Sequence, residues 1–242
     1  MPTLQKLADN GITYSQWHTT ALCSPTRSTL LTGRNHHLNG MAAITEAAAG
    51  FPGGSGRLPK QAATIGQVLQ DNGWSTFWIG KDHNVPEQDV ASGGDRSTWP
   101  LQMGFDRYYG FLGGETNQWY PDLVEDNHFV EPPANPEEGY HLSKDLADHA
   151  LEFLKDQKAT NPSKPWYMWY CPGANHAPHQ APEEYIAKYK GKFDDGYEAY
   201  RKWALPRMIA KGIIPKGTTY ANFNPLPPGV ANPGDEVLDW NK

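Results

Sequence analysis

The heptapeptide PWYMWYC, residues 165–171, carries no charged residue and no apolar–polar alternation. A strand with one wet face shows that alternation. A strand without it has both faces covered, which is the condition of strands in a parallel sheet. Parallel strands need crossover connections, so this one segment already restricts the chain to folds that mix helices with strands. WSTFWIG, residues 74–80, reads as a second strand and stops at Gly80, immediately before Lys81 and His83.

The helices fall between these strands. Residues 3–10 form a short one ended by Gly11. PTRSTLLTG follows Cys23, with Pro25 suited to a first turn and Gly33 to a stop. QAATIGQVLQDNG places Ile65, Val68 and Leu69 for one buried face. From Ser143, KDLADHALEFLKDQ aligns Leu146, Ala150, Phe153 and Leu154 in an apolar stripe. ITYSQWHT, residues 12–19, alternates like a further strand, whereas residues 84–140 read as long loops with one hairpin. From residue 214 onward the chain reads as a loop-like tail, and its last residues, VLDWNK, read as the approach to another element. No internal repeat is present. The order of elements predicts an α/β sheet with functional residues at its strand ends.

Composition removes several classes of function. A formal charge of −6 without a basic stripe argues against a nucleic-acid partner. No apolar run approaches the roughly 20 residues that span a bilayer, and MPTLQKLADNG lacks the basic-then-apolar order of a signal peptide. With 24 Gly, 21 Pro and nine Trp, the chain is suited to long ordered loops pinned by large side chains. The only two cysteines, Cys23 and Cys171, leave the redox compartment open.

Cys23 opens the helix that follows it, where unpaired N–H groups and the helix dipole favour an anion. Arg27 lies one turn further on the same face, and its planar fork suits a tetrahedral oxyanion. A cysteine-dependent phosphatase needs a longer loop between cysteine and arginine than the three residues found here. Taken singly, Lys81 and His83 read as solvated loop residues at a strand end. His176 and His179 share one Pro-rich loop, and the adjacent His36 and His37 make a poor metal pair, read as structural or substrate-lining.

CSPTRSTLLTGR, residues 23–34, resembles the type I sulfatase signature: Cys-x-Pro-x-Arg, a Leu-rich helix, then Thr-Gly. GRNHHLNGM, YYGFLGGETNQWYPDLV, EEGYHLSKDLADHA, KPWYMWYCPGANHAPHQAP and YIAKYKGKFDDGYEAYR resemble bacterial arylsulfatases, so the similarity runs along nearly the whole chain. It implies an alkaline-phosphatase-like α/β fold: a mixed, mostly parallel sheet with helices on both faces. It also implies hydrolysis of a small-molecule sulfate ester. Cys23 would be converted by a formylglycine-generating enzyme to formylglycine, an aldehyde that is hydrated in water.

The family's roles then map residue by residue. Arg27 orients the hydrate, Lys81 binds sulfate oxygens, and His83 hydrogen-bonds the formylglycine and assists its collapse. His176 contacts the sulfate and donates a proton to the leaving oxygen. The family also holds a divalent cation, usually Ca2+. Its ligands are aspartates from a first strand ahead of the signature, a later Asp-Asn pair and the formylglycine itself; of these, residues 1–242 contain only Cys23. The expectation is therefore a partial catalytic domain, without that first strand and the C-terminal part. Asp82 stands where the family carries an aromatic residue, and a carboxylate there would weaken the sulfate grip of its neighbours. Two other readings stay open: a phosphonate or phosphate-diester hydrolase of the same superfamily, and a truncated, non-catalytic chain. The compartment, bacterial cytoplasm or periplasm, is also open.

Overall fold

A computed structural model describes residues 2–221 and divides into two compact units, residues 19–182 and the segments on either side of them. The flanking unit consists of α1 (Pro2–Asn10) and, after the larger unit, α5 (Glu183–Ala187) and α6 (Gly196–Ala210). None of these helices buries a residue. The expected first helix is present. The expected strand over 12–19 is not: no strand forms there, and Ile12, Tyr14 and Trp17 are exposed. Alternation in that stretch has no partner strand to use it. Residues 214–221 are irregular, as expected, and VLDWNK lies outside the described residues.

The larger unit is an α/β sheet with helices on both faces. In chain order it contains α2 (Cys23–Thr32), α3 (Ile65–Asp71), β1 (Ser75–Lys81), β2 (Arg107–Phe111), β3 (Leu123–Glu125), β4 (His128–Val130), α4 (Leu142–Thr160) and β5 (Trp166–Cys171). The strands are ordered β4-β3-β2-β1-β5. β1 pairs in parallel with β2 on one side and β5 on the other, while β3 and β4 form the antiparallel hairpin.

β1 is buried along its whole length, and its alternating side chains feed two cores. Phe77 and Ile79 join Tyr109, Phe111 and the α4 residues Leu146, Ala150 and Phe153. Trp78 joins Leu31 of α2, Phe105, Tyr108 and Trp99 on the opposite face. The stripe predicted for α4 is thus the one it buries.

Three expectations fail in instructive ways. RYYGF, read as loop, is β2, an interior parallel strand whose fit depends on Gly110: a Cβ there would stand 2.1 Å from the Gly80 carbonyl oxygen. PWYMWYC is parallel but sits at the sheet edge, so Trp166 and Tyr170 are exposed rather than covered. In α3, Ile65 and Val68 face outward. That helix packs through Gly66 instead, where an added Cβ would come within 2.7 Å of the Phe105 ring.

Candidate active site

The site forms where β1 ends beside the start of α2. Leu22 precedes α2 in an extended conformation and gives no side-chain cap, so the first N–H groups of the helix lack a side-chain partner at the point where Cys23 begins it. Gly33 ends the helix in the left-handed region, φ 67°. Asn84 Nδ2 donates to the Ser24 carbonyl at 3.0 Å, tying the exit of β1 to the first turn of α2. Arg27 donates to the Lys81 carbonyl at 2.9 Å and so ties the next turn to the same strand end.

These ties bring four of the five residues expected from the sequence together. Cys23 Sγ lies 2.9 Å from His83 Nδ1. Lys81 and His83, each 3% exposed, are buried and not solvated. Burial pushes the Lys81 ammonium below its ordinary pKa and the Arg27 charge adds to this, while the Cys23 sulfur and Glu46 pull the other way. Burial also holds His83 below its usual value, helped by Lys81 and opposed by Glu46. His83 adopts φ 61°, a left-handed conformation uncommon outside glycine, and its backbone N–H bonds the Leu112 carbonyl at 3.0 Å.

His176 stands apart. It follows β5 on an exposed loop, with Nδ1 3.0 Å from the Ala177 carbonyl and 3.4 Å from a Glu115 carboxylate oxygen. Among the described residues no hydrogen bond or ion pair joins it to Cys23, Lys81 or His83. His179 is also exposed. The His36 and His37 rings lie against each other at a 40° tilt and bond locally, His36 to the Met41 carbonyl and His37 to Asn35.

Asp82 points elsewhere. It is 1% exposed; Oδ1 accepts from the Asn84 N–H, Oδ2 has no partner, and burial pushes its carboxyl up to about 7. The groups it faces are the charged Arg27 and the neutral Tyr108 hydroxyl and Cys171 thiol. Lys81 and His83 share Arg27 with it, but their other partners are Cys23 and Glu46, which do not act on Asp82. Alternation along the chain separates Asp82 from its two neighbours.

Glu46 is the participant that sequence reasoning missed. Both of its carboxylate oxygens lie close to His83 Nε2, at 3.0 and 2.9 Å. Burial would raise its pKa, but the bond and charge of His83, a backbone bond and the Thr45 hydroxyl together hold it below the ordinary carboxylate value. It lies in the short 3-10 turn Thr45–Ala47.

The described residues contain no group of three or more His, Cys, Asp or Glu arranged to hold a metal ion. Three buried oxygens near the site lack partners: Ser24 Oγ, Asp82 Oδ2 and Asn84 Oδ1. A hard cation takes about 6–8 oxygen ligands with several carboxylates among them, and the carboxyl in this set lies beside Arg27. The donor set present does not fit a divalent cation.

The larger unit has the alkaline-phosphatase-like fold of the sulfatases, with its cationic groups at the end of a parallel strand. A protein solved in complex with its substrate D-glucosamine-2-N,6-O-disulfate superposes with a TM-score of 0.59 at 22% identity, over 79% of this chain and 33% of that one. The family model named Sulfatase matches residues 1–225, and the chain belongs to the sulfatase family. An arylsulfatase of Klebsiella aerogenes is 29% identical over 226 residues, covering 88% of this chain and 46% of the relative. An uncharacterized sulfatase of Schizosaccharomyces pombe is 28% identical over 229 residues, covering 89% and 40%. The chain spans less than half the length of either relative.

Proposed function

We propose that this chain carries the nucleophile half of an arylsulfatase-type sulfate-ester hydrolase, with Cys23 converted to formylglycine by a formylglycine-generating enzyme. The observation that supports this most directly is the meeting of Cys23 Sγ with His83 Nδ1 at 2.9 Å, beside the buried Lys81. A hydrated aldehyde offers one hydroxyl to attack sulfur and a second whose collapse expels the sulfate, so water need not attack sulfur itself.

The surroundings of residue 23 suit such a hydrate. His83 Nδ1 offers a hydrogen-bond acceptor, Lys81 offers donors, and the uncapped start of α2 favours negative charge. Lys81, desolvated and close, binds the sulfate oxygens and stabilises charge that builds during transfer. Arg27 fixes the Lys81 carbonyl and adds a second positive charge. His176 gives the proton to the departing oxygen. In its support, Gly80 pairs with Cys171, so β1 and β5 open their C-terminal ends along the same edge of the sheet. A divalent cation would need ligands beyond the described set, and no step is assigned to one.

The test is a mass measurement followed by turnover. After co-expression with a formylglycine-generating enzyme, the peptide containing Cys23 is expected to lose the mass that separates a thiol from an aldehyde. An unmodified thiol there overturns the mechanism. In the full-length protein so modified, an aryl sulfate is expected to be turned over repeatedly and an aryl phosphonate poorly, with Cys23→Ser abolishing multiple turnover.

A further inference from the structure

We propose that Glu46 is a positioning residue: its carboxylate holds the Nε2–H of His83 and so leaves the Nδ1 lone pair aimed at residue 23. This rests on the reading that residue 23 carries the reacting hydroxyl. A neutral imidazole has one N–H and one lone pair, and an ionised carboxylate can only accept. With both Glu46 oxygens 2.9–3.0 Å from Nε2, that nitrogen must carry the hydrogen. Nδ1 is then an acceptor, 2.9 Å from the residue-23 side chain. The opposite tautomer would set a lone pair against the carboxylate and its one N–H against the donors of a hydrated aldehyde.

The ring has little freedom to do otherwise. The His83 side chain is 4% exposed and its backbone is tied to Leu112. Thr45 Oγ1 donates to the same Glu46 carboxylate at 3.3 Å. Gly114 leaves the slot in which the pair meets: a Cβ there would stand 2.6 Å from His83 Cε1, 2.8 Å from Nε2 and 3.2 Å from Glu46 Oε1. Thus a glycine far along the chain clears the space for a contact between two other loops.

The tautomer can be read directly. In the unmodified full chain with 15N-labelled histidine, multiple-bond proton–nitrogen spectra at pH 8 are expected to show His83 as the Nε2–H form alone, its signals assigned by their loss in His83→Gln. Glu46→Gln and Gly114→Ala are expected to release it to a mixture of tautomers while the melting transition persists. In the formylglycine form, Glu46→Gln is expected to lower kcat for an aryl sulfate by roughly 10- to 100-fold with KM within about twofold. An Nδ1–H form in the wild type, a single Nε2–H form surviving both substitutions, or an unchanged kcat overturns the proposal. Failure of Cys23 to be modified would instead overturn the functional reading and leave the tautomer result standing.

Discussion

β1 and β5 are neighbours, run in the same direction and end at the same edge of the sheet, yet their ends behave differently. β1 has a strand on each side and a helix-covered core on each face, and the chain leaving it stays pinned: Asp82 and His83 donate to the Phe111 and Leu112 carbonyls at 3.0 Å each. Among the described residues β5 is paired on one side only, and past it His176 bonds its own neighbour and an exposed glutamate. The first strand end holds Lys81 and His83 to a fixed geometry against Cys23. The second carries His176 on an exposed loop, bonded only to local partners. Precision in the site follows from how many neighbours hold the strand that delivers each residue.

The largest test of this comparison removes the close approach of the two strands. Gly80 sits at φ 96°, and a Cβ on it would lie 2.0 Å from the Cys171 carbonyl oxygen, a backbone atom with nowhere to go. Gly80→Ala is expected to cost more than about 4 kcal/mol and to remove the cooperative melting transition of residues 19–182. Gly173, just past β5, makes the contrast. The nearest atoms to a Cβ there belong to the Phe111 ring and the Gln118 side chain, at 3.1–3.3 Å, and these can yield. Gly173→Ala is expected to cost only about 1–2 kcal/mol. Equal losses from the two substitutions would mean that β5 is held as firmly as β1.

Asp82 provides a test of intermediate size, because its fully buried carboxyl, in the pinned end of β1, works against stability. Its buried carboxyl titrates at about 7 in the folded chain and near 3.9 when unfolded. Between those values the folded state keeps a proton that the unfolded state has released. Stability therefore falls as pH rises from about 4 to about 7 and stays low above that. Asp82→Asn keeps the shape and an acceptor for the Asn84 N–H but removes the charge. It is expected to raise stability at pH 8 by a few kcal/mol, a gain that shrinks toward zero near pH 4. Thermal melting at pH 4.5, 6 and 8 checks this, and a gain independent of pH would show that charge burial is not its cause.

The same contrast explains what could be read from the sequence. The segment from Cys23 to Gly33 was legible because its signals are local: a proline in the first turn, an arginine one turn on, a glycine stop. β1 and α4 were legible through their apolar patterns. RYYGF was not, since its strand character comes from pairing with β1 and from the space that Gly110 leaves. Lys81 and His83 carry the residue types of a solvated loop, and only the docking of α2 and of the turn at Glu46 buries them. Glu46 had no signal of its own, because its partner lies 37 residues away and the slot they share is cleared by Gly114. The exposure of β5 follows from its place at the edge, which its own residues do not encode.

The smallest effect on stability, and the most discriminating on chemistry, belongs to His176. Its side chain is 48% exposed, and its partners are a neighbouring carbonyl and a carboxylate at 3.4 Å, so His176→Ala is expected to change stability by no more than about 0.5 kcal/mol. Its effect on turnover depends on what it gives to the reaction. A proton donor matters most when the departing oxygen is strongly basic, and little when an activated phenolate leaves unaided. In the formylglycine form, His176→Ala is therefore expected to slow an unactivated sulfate ester by roughly 100-fold and a nitrophenyl sulfate by less than about tenfold. Equal losses for the two esters would make His176 a sulfate-binding group like Lys81, and would require the loop after β5 to be held as closely as the end of β1.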